Sequence, residues 1–384
     1  MTMEKPRNRG LRFHRVVDHL IGSPALWMLG MLRRRRSIPT KIRRVVLLQS
    51  AALGDTLLMG QGIRRLREAL PDAHIIMAVG PDNRGCVELL PKVDEFIVVN
   101  VLSPLSTLKA LRALKPDLLI DYGTWPRINA LLTALAGARL TVGFKTPGQN
   151  RHFAFDITVD HSSQVHEVEN QRALLGFLGP APEWDVSLQF PPPPSFVPPI
   201  PANRFVVFHA WASATLKRHK EWPMENWVEL GQFVADQSLG IILTGGPGDS
   251  ADATQLLELI RAQVGDRVPV ISVAGSYTLA QTAYLLQASR AVVSVNTGIM
   301  HLAALLGVPT IALNGPTNPS RWGPYGPSTI SLVPDKGTFG FMHLGFEHPP
   351  VVKPCLQYLP PSRVASALSK WLGNQYDQSV SVRL

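Results

Sequence analysis

Short apolar runs alternate along this chain with longer stretches in which apolar residues recur three and four positions apart, and turn-forming residues separate the two. Arg44–Gln49, RVVLLQ, reads as a buried strand, residues 62–70 as a helix and His74–Val79 as the next strand, with Pro71 and Asp72 turning between them. The alternation continues through a strand at 95–99, a helix near 106–114, a strand at 117–121 and a helix near 129–136. Strands alternating with helices predict a parallel sheet covered on both faces.

The segment 191–201, PPPPSFVPPIP, interrupts this pattern, because proline removes backbone donors and holds the chain extended. After it come strands at 204–208 and 240–244, helices at 227–237 and 253–262, a strand at 268–273 and the helix Leu279–Ala288. Ala291–Val295, a helix at 299–306 and Thr310–Leu313 complete the second series. The expected organisation is an N-terminal extension (1–40), a first Rossmann-like domain (41–190), a proline-rich linker (191–201), a second Rossmann-like domain (202–355) and a C-terminal helix and tail (356–384). Two α/β halves joined by a stiff hinge predict a ligand cleft between them, at the carboxyl ends of the strands.

The extension has a different pattern. LIGSPALWMLGML, residues 20–32, is apolar and runs directly into Arg33, Arg34, Arg35 and Arg36. It is too short to span a bilayer, which takes about 20 residues. It is not a secretory signal either, since no small-residue cleavage site follows and the arginines come after the apolar stretch. Two readings remain open. The segment lies on an anionic membrane surface with Leu26, Trp27 and Met28 in the interface, or it packs on the body of the protein with a solvated basic turn.

Composition narrows the function classes. At 384 residues and 45% hydrophobic, the chain can bury two cores, and disordered or fibrous classes are excluded. A formal net charge of +10 predicts attraction to anions: nucleic acid, acidic headgroups or phosphorylated small molecules. Cys86 and Cys355 are the two cysteines, too few for a disulfide framework or a zinc site and consistent with a cytoplasmic setting.

Candidate chemistry collects in strand-to-helix turns. Asn296, Thr297 and Gly298 stand between a strand and a helix, where uncapped N–H groups and the helix dipole favour a phosphate; the plainer reading is an N-cap. Lys220, in the segment after the strand at 204–208, could neutralise a diphosphate or be a solvated loop cation. Gly245, Gly246 and Asp249 form a turn that could take a nucleotide, with Asp249 on a ribose hydroxyl, or be an ordinary turn. Asp55, after SAALG, is a general base if it reaches an acceptor hydroxyl, and otherwise a capping aspartate.

These residues carry a resemblance. VVLLQSAALGDTLLMGQGIRRLREALPDAHI resembles the opening of the glycosyltransferase family 9 heptosyltransferases. ARLTVGF, HEVENQRALLGFLG, KEWPMENWVEL and AGSYTLAQTAYLLQASRAVVSVNTGIMHLAALLGVPTIALNGPTNPSRWGPYG follow in the family's order, over roughly residues 41–330. The resemblance implies an α/β GT-B fold, two Rossmann-like domains facing each other across a cleft. It implies an inverting, metal-independent transferase that moves heptose or a related sugar from a nucleotide sugar, ADP-linked, to a lipopolysaccharide-core or other glycolipid acceptor.

By the family pattern Asp55 is the general base, and Lys220 with Thr297, Gly298, Ile299 and His301 binds the diphosphate. Asn296 stands near the donor sugar, Gly245, Gly246 and Asp249 near the nucleotide, and Gly54 and Arg127 on the acceptor side. No cofactor is implied, the nucleotide sugar being a substrate. The chain departs from the pattern at Asn296, where many relatives carry aspartate, so the donor sugar is open. The implied location is cytoplasmic, with an anionic membrane surface as a partner if the extension binds one.

Other classes fare worse. SAALGD does not supply the GxGxxG of a dinucleotide-binding turn, GxxxxGK[ST] is absent, and no nucleic-acid recognition motif accompanies the basic charge. The remaining alternative is a noncatalytic sugar-nucleotide or glycolipid-binding protein on the same fold.

Overall fold

The structure, a computed structural model, describes residues 12–180, 187–193, 195–212, 217–345, 347 and 354–373. Residues 1–11 of the extension, Pro194 of the linker, 213–216 of the loop before Lys220 and the tail from 374 lie outside the described residues. The chain divides into two compact units, the first running to Gln189 and the second beginning at Phe190, with a short stretch starting at His343 belonging to the first.

In chain order the first unit contains α1 (Arg12–Leu32), β1 (Arg44–Gln49), α2 (Leu53–Leu58), α3 (Gly60–Ala69), β2 (His74–Val79), β3 (Glu95–Val98), α4 (Pro104–Ala113), β4 (Leu118–Asp121), α5 (Arg127–Leu135), β5 (Leu140–Lys145), β6 (Ile157–Asp160) and α6 (Glu167–Ala173). The strands form a six-stranded sheet in the order β3-β2-β1-β4-β5-β6. Every pairing is parallel, with Val46 opposite Ile76 on one side and Leu119 on the other. Val45 to Leu48 are all fully buried, as a central strand covered on both faces requires.

The second unit repeats the plan with β7 (Phe205–His209), α7 (Lys217–Lys220), α8 (Met224–Asp236), β8 (Gly240–Leu243), α9 (Ser250–Val264), β9 (Val270–Ser272), α10 (Leu279–Ala288), β10 (Ala291–Val295), α11 (Gly298–Leu305), β11 (Thr310–Leu313), α12 (Pro319–Trp322), β12 (Thr329–Leu332) and α13 (Pro361–Leu372). Its parallel sheet runs β12-β11-β10-β7-β8-β9, the same winding as the first. In each sheet the strand order reverses between the first and fourth strands, β1 and β4 or β7 and β10, and the loops there leave to opposite sides. That switch point is where doubly wound sheets bind ligands.

The proline-rich segment is not a bare hinge. Phe196 packs on Tyr284 and Tyr277, and Phe190, just before the segment, stacks on Tyr284 with ring centroids 4.9 Å apart. These two rings anchor the described part of the segment to the second unit.

The extension folds as α1 and packs on the first unit. Leu26 is fully buried with Ala130, Ala154 and Phe155. Gly22 and Gly30 permit the close approach: a Cβ on them would lie 2.8 Å from Arg127 and 2.7 Å from Phe153. Asp18 accepts hydrogen bonds from the backbone N–H groups of Arg127 and Ile128, capping α5 from another helix. Arg33 pairs at 2.8 Å with buried Asp156. The packed reading of the extension thus holds for its inner face, and Leu26, expected in a membrane interface, is instead a core residue.

Candidate functional site

In the second unit the register places His209, Leu243, Val295 and Leu313 at one edge of the sheet, so the loops that follow them share that edge. After β10 the backbone stays extended at Thr297 (φ −148°, ψ 178°) and becomes helical at Gly298. The Thr297 side chain does not cap the helix, and its buried Oγ1 has no hydrogen-bond partner among the described residues. The first turn of α11 contains no acid. Uncapped amides, the positive end of the helix dipole and a buried hydroxyl therefore stand together, an arrangement that suits a phosphate. His301 is buried one turn further on, its N–H reaching the Thr297 carbonyl.

The two lysines of α7 have different surroundings. Burial disfavours the Lys217 ammonium, but Glu221, Asp252 and Asp249 outweigh it and hold its pKa above the ordinary lysine value. Lys220 has no ion-pair partner among the described residues, and burial alone pulls its pKa below the ordinary value. It is the cation left without a counter-charge, which costs free energy until an anion arrives. The α7 turn lies against the end of β11: a Cβ on Gly315 would come within 2.8 Å of the His219 carbonyl.

Asn296, Gly245, Gly246 and Asp249 are more committed than the sequence suggests. Asn296 Nδ2 donates to Asn314 Oδ1 at 2.7 Å and to the Trp322 carbonyl at 2.8 Å, so its amide hydrogens tie β10 to β11 and α12. An aspartate could donate neither bond. Gly246 N–H donates to Asp249 Oδ2 at 2.9 Å, and Asp249 Oδ1 is 3.6 Å from Lys217. The expected ribose ligand thus closes its own turn. Gly245 is held close to Trp211, whose Cδ1 would lie 2.7 Å from an added Cβ. His209, pushed down to about 4 by burial, is neutral and meets Thr244 Oγ1 at 3.1 Å, joining the loops after β7 and β8.

In the first unit the turn after β1 is braced from several sides. Ala52 has φ 69°, a conformation that alanine adopts only under constraint. Asn83 donates to the Gln49 carbonyl and to Thr56 Oγ1, and Ser50 shares a hydrogen bond with Asn129. Gly54 and Asp55 occupy the first turn of α2, and the Gln171 amide of α6 donates to the Asp55 carbonyl at 2.9 Å. Beside β1, Asp121 at the end of β4 is fully buried against Arg151, which also donates to the Gly123 carbonyl. Burial pushes the Asp121 carboxyl up even so.

Arg127, expected on the acceptor side, has a buried guanidinium 3.1 Å from Asp18 and 3.0 Å from the Gly148 carbonyl, so it ties α1 to α5. Sequence reasoning also passed over Gln171 and Arg321. Arg321 is fully buried with its guanidinium over the Trp322 ring, next to the Asn296 tie. Its signal was the NPSRW segment, in which proline starts a short helix after β11. Among the described residues no group of three or more His, Cys, Asp or Glu side chains could hold a metal ion.

The family model for glycosyltransferase family 9 (heptosyltransferase) matches residues 105–337. The chain is similar to lipopolysaccharide heptosyltransferase 1 of Escherichia coli O18:K1:H7, 31% identical over 227 residues, which cover 57% of this chain and 65% of that protein, just under two thirds. Its likeness to lipopolysaccharide heptosyltransferase 1 of Salmonella typhimurium is 27% identity over 316 residues, 75% of this chain and 93% of that one. Among solved structures, the E. coli ADP-heptose lipopolysaccharide heptosyltransferase II superposes with a TM-score of 0.68 at 21% identity, covering 86% of this chain and 98% of that one. An E. coli heptosyltransferase solved with ADP gives 0.66 at 23%, covering 85% and 99%. The fold is thus of the GT-B kind, with two Rossmann-like units.

Proposed function

The chain belongs to glycosyltransferase family 9, and from that premise we propose that it transfers heptose or a related sugar from an ADP-linked donor to a lipopolysaccharide-core or other glycolipid acceptor. The observation that carries this reading is the pairing of unmet charge and unmet donors at one edge of the second sheet. There, among the described residues, Lys220 has no counter-charge and Thr297 Oγ1 no partner. Both deficits are relieved by a diphosphate. The E. coli relatives solved with ADP and with ADP-2-deoxy-2-fluoro heptose support the choice of nucleotide.

The reaction is a single displacement with inversion. Asp55 takes the proton as the acceptor oxygen bonds to the anomeric carbon, and the bond from that carbon to the donor's phosphate oxygen breaks, its electron pair staying on the phosphate oxygen of the departing diphosphate. Lys220, the amides of Gly298 and Ile299 and the Thr297 hydroxyl meet the charge that builds there, so no metal is required in this scheme. His301 supports the cradle from within α11. Asn296 offers the sugar its carbonyl oxygen, its amide hydrogens being used within the protein. Two free, buried cysteines fit a cytoplasmic site of action.

Calorimetry against a panel of nucleotide sugars, followed by turnover with a glycolipid acceptor, tests the proposal. It expects tight binding of an ADP sugar and transfer that Asp55→Ala abolishes without loss of donor binding. Donor binding by the wild type with no transfer to any core-type acceptor would establish the noncatalytic alternative.

A further inference from the structure

We infer that the outward face of α1 and the arginine run that follows it form a docking surface for an anionic lipid bilayer. The helix is apolar on two sides. Its inner positions, Gly22, Leu26, Leu29 and Gly30, are already used against α5 and the 151–154 turn. The outward positions of a surface helix are ordinarily polar, yet here, beside exposed His19 and Pro24, they include Leu20, Ile21, Trp27, Met28, Met31 and Leu32, from 55% to 81% exposed. No described residue of the first unit covers them.

Charge identifies the occupant. The one acid within α1, Asp18, is turned inward onto Arg127, so the outward face carries none. Arg34, Arg35 and Arg36 are exposed directly after the helix. Beyond burial, Lys145 and Arg35 hold His152 below the usual histidine range, so Arg35 stands near the end of β5, where Lys145 also pairs with Asp160 at 3.4 Å. An apolar strip ending in clustered arginines matches acyl chains beneath anionic headgroups.

A second copy of this chain fits less well, because each copy carries a net charge of +10. Pro24 points the same way. It is exposed within α1 and has no N–H to give the carbonyl four residues before it, and that carbonyl is better served by wet headgroups than by a dry protein interface. No described helix is long and apolar enough to cross a membrane, so α1 lies in the interface.

The test is flotation of the whole protein with phosphatidylglycerol/phosphatidylcholine vesicles and with phosphatidylcholine alone, without donor or acceptor, which keeps it independent of the catalytic reading. Binding is expected to the anionic vesicles and to weaken with salt. The triple variant Trp27→Ser, Met28→Ser, Met31→Ser should lose about a hundredfold or more in vesicle affinity. Arg34→Ala with Arg35→Ala should lose about thirtyfold. Because these side chains are exposed, an unchanged melting temperature shows that the variants fold. Failure of the wild type to float with anionic vesicles, or equal flotation of the variants, overturns the inference. So does a lipid-free dimer, seen by sedimentation velocity, that the triple variant dissolves.

Discussion

The turn after β1 and the turn after β10 occupy matching places, each beside the switch point of a six-stranded sheet with the same winding. They are built for opposite charges. The first turn of α2 carries Asp55, whereas the first turn of α11 has no acid at all. The α2 turn contains a left-handed alanine and is braced by hydrogen bonds from Asn83, Asn129 and Gln171. The α11 turn has ordinary backbone angles and leaves a buried hydroxyl without a partner among the described residues. On the function proposed above, one fold then serves as proton acceptor in one unit and as anion receptor in the other. The local backbone and the placement of a single acid decide which.

The largest effect should come from removing that acid. Asp55→Asn keeps the shape and the hydrogen bonds to the Asp55 carbonyl but cannot accept the proton. Turnover should fall about a hundredfold to ten-thousandfold, with ADP affinity by calorimetry unchanged. A fall in ADP affinity of similar size would break the comparison, because the α2 turn would then be part of the anion receptor.

Next comes the cation. Lys220→Gln removes the charge that meets the diphosphate, and ADP binding should weaken by about tenfold to a hundredfold, the range for a charge-assisted hydrogen bond of about 1.5–3 kcal/mol. The wild type should also show a pH dependence that the variant lacks. Burial lowers the Lys220 pKa in the free protein, and a bound anion raises it again. Binding therefore takes up a proton once the pH exceeds the free-state value, and affinity falls as pH rises through it. Identical alkaline profiles for wild type and Lys220→Gln would remove Lys220 from the receptor.

How much of this was legible beforehand varied with the range of the interaction. β1, β2, β10 and β11 run between the residues that the apolar pattern gave, because a central strand buried on both faces leaves a continuous signal, and α10 does so because Thr278 and Gln281 form a capping box at its start. β6 and β12 did not stand out: they are four-residue edge strands, half-exposed along most of their length. The turns that carry Asp55 and Thr297 were readable from their local chemistry. The partners were not. Arg127 meets Asp18 across 109 residues of chain, and Asn296 meets Trp322 across 26, contacts that no spacing rule encodes. Asp249, which reads as a ribose ligand or as part of an ordinary turn, accepts a hydrogen bond within that turn.

A smaller effect sharpens the description of the α11 turn. Thr297→Val deletes a buried hydroxyl that has no partner among the described residues, so the apolar replacement should leave thermal stability unchanged or raise it slightly. The same change removes a donor to the phosphate and should weaken ADP binding by about fivefold, the equivalent of about 1 kcal/mol. Stability and affinity moving in opposite directions is the signature of a group kept for its ligand. A stability loss instead would make Thr297 a structural cap.

The smallest effect concerns the backbone of the other turn. Ala52→Gly relieves the left-handed strain, about 1–2 kcal/mol, but frees the unfolded chain, which opposes it by about 0.4–1 kcal/mol. The net expectation in urea denaturation is stabilisation by between about 0 and about 1.6 kcal/mol, centred near about 0.8 kcal/mol. Ala51→Gly, at a residue without positive φ, carries the entropic cost alone and should destabilise. Because Ala52 sets the direction in which α2 leaves β1, its glycine variant should also turn over more slowly than wild type while binding ADP normally. If both glycine variants destabilise equally, the alanine conformation is relaxed, and the contrast between a strained turn that aims a carboxylate and an unstrained turn that receives an anion loses its backbone half.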